Sequence, residues 1–198
     1  LKASKGEALI CRAYSHFVLA NMFCMPYNPA TAGNCLGIPY MDHAETDLNP
    51  RYERGTLQEV YEMIGKDIEA GIPLIDDTAY SVPKYHFNYK AACCFASRYY
   101  LFMQDWDNAI KYATMALTSN PSSLLRDYSA IAALPNGTSR HQEYVNSAST
   151  ANFLLQAATS NSGLLFDWYS TAGRYSHGKL QESMKPFSRK KAVRGAAA

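Results

Sequence analysis

NYKAACCFASRYYLFMQDWDNAIKYATMALTSNP, residues 88–121, reads as two helices with a break at Gln104-Asp105. Apolar residues recur at helical spacing on both sides of that break. Asp105 is placed to cap the second run, because its carboxylate can accept from an N–H that the first turn leaves unpaired. Ala92, Ala96 and Ser97 are small enough to let a second helix approach closely. Trp106, Ala109, Tyr112 and Ala116 are expected to face back across the hairpin, with Ala109 and Ala116 at the closest contact. Pro121 has no N–H to continue a helix and ends the unit.

The hairpin resembles a tetratricopeptide repeat. Ser97 holds the small-residue position and Tyr100 the aromatic one of the first helix. Trp106, Ala109, Ala116 and Pro121 hold the aromatic, alanine, alanine and proline positions of the second. Cys93 and Ala113 depart from the pattern, which usually has Trp and an aromatic there.

Upstream, residues 6–25, GEALICRAYSHFVLANMFCM, are apolar on nearly every side, so this helix is expected to be buried over most of its circumference. Arg12 lies on it, and a charge in such a place needs a carboxylate or carbonyl partner. A connection from Pro26 to Gly55 follows. Within it Leu36-Gly37-Ile38-Pro39-Tyr40 reads as a short extended piece, since Pro39 disfavours helix at Ile38. Thr56 and Glu59 form a capping box, each side chain serving the other residue's backbone N–H. Leu57, Val60, Tyr61, Ile64 and Ile68 then share one face, and Gly71 with Pro73 stops the helix.

Beyond Pro121 the pattern loosens. Pro135-Asn136-Gly137 is a turn signal. The run from Asn152 to Ala157 fits a strand or a short helix equally. Residues 163–180 mix aromatics with Gly and Ser, as an irregular surface segment does. The fold class is therefore mainly α: tetratricopeptide-like helical hairpins with a long loop and some irregular or short β segments. The helical domain is expected over 1–180, with 181–198 as an irregular tail. Because Lys5–Phe23 reads as the body of a packed helix, the chain is expected to be part of a longer protein.

Composition narrows the function. The 198 residues are 47% hydrophobic and 18% charged, with a formal net charge of +2. Only Arg189, Lys190, Lys191 and Arg194 cluster, without interleaved aromatics, so nucleic acid is not an expected partner. The cysteines Cys11, Cys24, Cys35, Cys93 and Cys94 show neither a disulfide framework nor metal-ligand spacing. His16, His43, His86, His141 and His177 are dispersed and read as packed or solvated residues, so no metal or cofactor is expected. Asp42, Glu45 and Asp47 form an acidic cluster, as do Asp76 and Asp77. Both read as solvated loops rather than a calcium site or a hydrolytic carboxylate pair. Fifteen Tyr against eight Phe and two Trp suit partly wet surfaces as well as aromatic cores.

Four of these pieces also resemble, in order, the SusD-like (RagB/SusD) family. Arg12, Ala13, Tyr14 and Phe17 match its Arg-Ala-aromatic helix. The Leu36–Tyr40 segment, the Thr56–Glu59–Val60–Tyr61 helix and the repeat at 90–121 follow. The resemblance is close over residues 5–121 and looser to 180. It implies a surface lipoprotein of the Gram-negative outer membrane that binds oligosaccharide without chemistry and passes it to a TonB-dependent, SusC-like transporter. A tetratricopeptide adaptor that holds a peptide is the alternative, and a glycosidase a third. No glycan contact carries over by motif. Sugars pack their C–H faces on rings displayed by irregular backbone, so Trp168, Tyr169 and Tyr175 are the expected stacking residues. Tyr27, Tyr40 and Tyr52 are in reserve, and Trp168 can alternatively anchor its segment to the helices.

Overall fold

A computed structural model of the chain describes residues 1–155, apart from 47, 49 and 118–120. Among these it is helical, with two helical pairs packed around one aromatic core. The first pair is α1 (Lys2–Phe23) and α2 (Leu57–Gly71). They run antiparallel, Gly6 lying against Gly71 at one end and Asn21 against Tyr61 at the other. The approach is close enough that a Cβ at position 6 would stand 2.9 Å from the Gly71 carbonyl oxygen. Glycine is what lets these two backbones meet.

α2 begins as its sequence indicates. Thr56 Oγ1 accepts from Glu59 N, and Glu59 Oε2 accepts from Thr56 N at 2.7 Å. Leu57, Val60, Tyr61, Ile64 and Ile68 are all buried. After Gly71 a 3-10 turn, Ile72–Leu74, tightens the chain and the helix stops. The connection between α1 and α2 is closed at its neck by an antiparallel bridge from Leu36 to Thr56. Gly37 N donates to Gly55 O and Leu57 N to Cys35 O, both at 2.8 Å. The extended Leu36 piece thus pairs with the chain entering α2.

The second pair is α3 (Tyr89–Phe102) and α4 (Trp106–Ala116). Asn88 caps α3 by accepting from Ala91 N, and Asp105 caps α4 by accepting from Asn108 N. Between them Gln104 takes φ 63°, while Asp105 N reaches back to Tyr100 O and Gln104 N to Leu101 O. This is a Schellman ending, with Gln in the left-handed position where Gly is usual. Ala109, Tyr112 and Ala116 are buried against α3, and Ser97 Oγ donates to Ala109 O at 2.8 Å. Tyr100 stacks on Tyr112 at 5.4 Å with the rings 4° from parallel.

Three expectations are corrected. Trp106 does not face back across the hairpin: it is 59% exposed, at the first turn of α4. It sits roughly 60° round the helix from Ala109, on the flank opposite Tyr112, and α3 covers only the Ala109 side. α1 is not buried over most of its circumference either. Ile10, Ala13, Phe17 and Ala20 are buried, but Met22 and Phe23 are about two-thirds exposed. Among the described residues only one side of α1 has helical neighbours. After Pro121 the chain forms two short helices that periodicity did not mark, α5 (Tyr128–Ala132) and α6 (Gly137–Tyr144). Asn136, read as a turn residue, is the cap of α6, accepting from Ser139 N. Residues 152–155 are neither strand nor helix.

Phe17 is the hub of the core. Its ring meets Phe102 at 5.1 Å, Phe95 at 5.6 Å, Tyr61 at 6.2 Å and Tyr99 at 6.4 Å, each edge to face. Edge-to-face contact sets the positive rim of one ring against the negative face of the next. Tyr99 lies in the same cluster and donates its hydroxyl to the Tyr61 carbonyl at 2.6 Å. Gly65 makes that bond possible, since a Cβ there would stand 2.7 Å from the hydroxyl. Burial pushes the Tyr61 phenol up to about 12 and that of Tyr99 higher still. Both stay protonated, Tyr99 as a donor and Tyr61 accepting from the Asn21 amide.

Candidate functional site

The long connection is held to the helices by a compact polar network. Arg12 Nε and Nη2 donate to the two carboxylate oxygens of Asp67, each at 2.6 Å, and Nη1 donates to Asp42 O at 2.9 Å. Tyr40 adds its hydroxyl to Asp67 at 2.7 Å. The Asp67 hydrogen bonds hold the guanidinium above its ordinary range; burial, then the same carboxylate, raises the Tyr40 phenol. His16 stacks on Tyr40 at 3.9 Å, and its Nε2 accepts from Met41 N at 2.9 Å. With Nε2 accepting, Nδ1 is the nitrogen that carries the proton and donates to Arg12 O, at 2.8 Å. Three helix side chains, Arg12, His16 and Asp67, thus fix Tyr40–Asp42 on α1 and α2.

Several other candidate side chains in the described residues are occupied structurally. His86 Nδ1 and Phe87 N meet the Glu7 carboxylate, at 2.9 and 3.2 Å. Asp42 pairs with His43, and Tyr52 donates to Glu45. Asp76 caps the turn at Thr78, and Asp77 accepts from Tyr89 N. Asp47 lies outside the described residues. No group of three or more His, Cys, Asp or Glu able to hold a metal occurs among the described residues, and the five cysteines are free. Burial raises the Cys93 thiol to about 11.

Residues 121–155 form a loop-rich layer pinned at a few points. Lys84 Nζ donates to Ser147 O and Ser149 O, at 2.6 and 2.8 Å. Asn88 Nδ2 donates to Phe153 O at 2.5 Å and Leu155 N to Lys84 O at 2.7 Å. Asn152 is buried, giving its amide N–H groups to Tyr144 O and Asn146 O while accepting from Arg126. The Arg126 guanidinium lies 3.9 Å from the centre of the Tyr144 ring. Two clefts open in this layer. One, of about 280 Å³, is lined by Lys84, Lys90, Leu124, Thr150 and Phe153 among others. The second, of about 340 Å³, lies between Arg126, Ile131 and Glu143. Apart from Asn88 and Lys90 at the start of the repeat, none of these residues belongs to a sequence motif; isolated lysines and asparagines in irregular sequence carry no spacing to read.

Of the site residues expected from sequence, Trp168, Tyr169 and Tyr175 lie outside the described residues. Among the reserves, Tyr27 packs on Tyr61 at 4.3 Å and Tyr40 belongs to the Arg12 network, so both serve the scaffold. Tyr52 stays exposed. Arg12, Thr56, Glu59, Ala109 and Ala116 stand in the contacts given above.

The architecture defines a class: tetratricopeptide-like helical hairpins that carry long, pinned connections. A SusD-like family described as "Starch-binding associating with outer membrane" matches residues 1–101. The chain belongs to this family. Among solved structures it is similar to a SusD superfamily protein from Bacteroides thetaiotaomicron, with 29% identity and a TM-score of 0.52 over 64% of this chain. It is also similar to one from Bacteroides vulgatus, with 25% identity and a TM-score of 0.57 over 85% of this chain. The alignments cover 26% and 38% of those two proteins, so the chain spans well under half of their length. No curated protein sequence matches. Among the described residues no helix is long and apolar enough to cross a membrane.

Proposed function

We propose that this protein binds oligosaccharide at the outer-membrane surface, as a lipoprotein, and passes it unaltered to a TonB-dependent, SusC-like transporter. The observation that carries this reading is the family match over residues 1–101, whose description joins starch binding to the outer membrane. Among the described residues several carboxylates are already committed to structural bonds. The carboxylates of Glu7, Asp42, Asp67, Asp76 and Asp77 are each engaged in holding backbone or a partner side chain. A glycosidase instead needs two carboxyl groups facing each other across a sugar. Trp168, Tyr169 and Tyr175 are the proposed stacking residues.

Calorimetric titration with neutral and acidic oligosaccharides, run beside a reducing-sugar assay, tests the proposal. Saturable binding with no release of reducing ends is expected, and hydrolysis of the bound sugar would overturn it. A Trp168→Ala protein with unchanged melting temperature and lost affinity places that ring in the site. Early melting makes it an anchor instead.

A further inference from the structure

We infer that the cleft between Lys84, Lys90 and Phe153 is a subsite for an anionic sugar residue, a uronate or a sulfated ring. The inference rests on the glycan-binding reading above and names a class of sugar for it. Three observations meet there. Among the described residues the lining holds two ammonium groups and no carboxylate, and neither lysine has an ion-pair partner there. Lys84 is fixed rather than mobile: Ser147 O and Ser149 O take two of its three donors and leave one for a ligand. Phe153 supplies a ring beside them, 6.0 Å from the Lys90 ammonium, on which the C–H face of a sugar can rest.

The polar residues of the rim are already committed, which narrows what the cleft can recognise. Thr150 Oγ1 donates to Ser123 O, and the Asn152 amide is fully engaged. A neutral sugar would find few free hydroxyl partners here. An anion finds two cations, with Arg126 behind the wall at Asn152. Charge-assisted bonds to ammonium are roughly twice as strong as neutral ones. At about 280 Å³ the cleft is at the lower limit of ligand sites, which run from about 300 Å³ upward. It therefore suits one ring of a chain rather than a whole oligosaccharide.

The test is calorimetry on the full chain with trigalacturonate, a chondroitin sulfate tetrasaccharide and maltotriose, for wild type, Lys90→Met and Phe153→Ala. Circular dichroism verifies folding. Lys90 makes no backbone bond through its side chain in the described residues, so its variant leaves the loop anchors intact. Binding of at least one anionic probe is expected, weakened tenfold or more by Lys90→Met and by added salt, with any maltotriose binding unchanged. The probe that binds tells carboxylate from sulfate. Neutral sugar bound while both anionic probes fail, or anionic binding indifferent to Lys90 and Phe153, overturns the subsite and leaves the glycan-binding reading intact. Failure of all three probes counts against both.

Discussion

Arg12→Met isolates the bond that ties the long connection to the helices. The guanidinium gives two donors to Asp67 and one to Asp42 O. The Asp67 side chain is 9% exposed and that of Arg12 29%. Removing the arginine leaves a buried carboxylate with only the Tyr40 hydroxyl. Breaking a fully buried pair costs about 3–5 kcal/mol, and the partial exposure of Arg12 puts the expectation at the lower end, about 3 kcal/mol. With a urea m-value of about 2 kcal/mol/M, the midpoint should fall by about 1.5 M. Asp67→Asn removes the same pair from the other side. The double variant should therefore cost less than the two single losses added, with a coupling of about 1–3 kcal/mol. Because the carboxylate is shielded, about 0.5 M NaCl should leave the loss largely intact, whereas exposed charges would be screened. A midpoint unchanged in Arg12→Met, or strictly additive single losses, would refute the network as described.

Gly65→Ala should destabilise by about 1–3 kcal/mol, through the clash with the Tyr99 hydroxyl 2.7 Å away. The loss should shrink in a Tyr99→Phe background; equal losses in both backgrounds would mean the hydroxyl is not what the new methyl meets. Ala109→Leu overpacks the contact with α3 and should cost about 1–3 kcal/mol in thermal melts, while an unchanged melting temperature would remove the tight hairpin. Thr56→Ala takes away the cap of α2 and should cost about 1 kcal/mol by urea titration, and a neutral result would show the cap to be redundant. Cys93, buried with its thiol raised to about 11, should resist alkylation at about pH 8 until the protein unfolds; mass spectrometry showing rapid labelling of the native chain would contradict that burial.

Local chemistry was legible and distant chemistry was not. Thr56–Glu59 and Asp105 could be read because cap and capped N–H lie within three residues of each other. The need of Arg12 for a partner could be read from its helix, but not the partner itself, which is 55 residues away. The left-handed turn at Gln104 gave no signal because no glycine marks it. α5 is five residues long and α6 carries polar residues almost throughout, so neither imposes a period on the sequence. The exposure of Trp106 depends on which sides of α4 find neighbours, and a repeat motif records the position without the neighbour. The same limit hid the Lys84–Phe153 cleft, whose walls come from opposite ends of the described chain beyond α2.

The pairing of Glu7 with His86 joins residues 79 apart, and the Phe17 hub is likewise completed only by rings of α3. During synthesis, at about 5–20 residues per second, α1 therefore waits on the order of 4–16 s for the last of its partners. Over that interval α2 can already cover Ile10 and one side of Phe17, but the α3 side of the Phe17 ring faces water or whatever binds apolar chain. The α3–α4 hairpin closes over three residues and has no such delay, since short loops close fastest and at the least entropic cost. Among these four helices the order of synthesis and the order of completion thus differ: α1, made before the others, is not the first to complete its contacts.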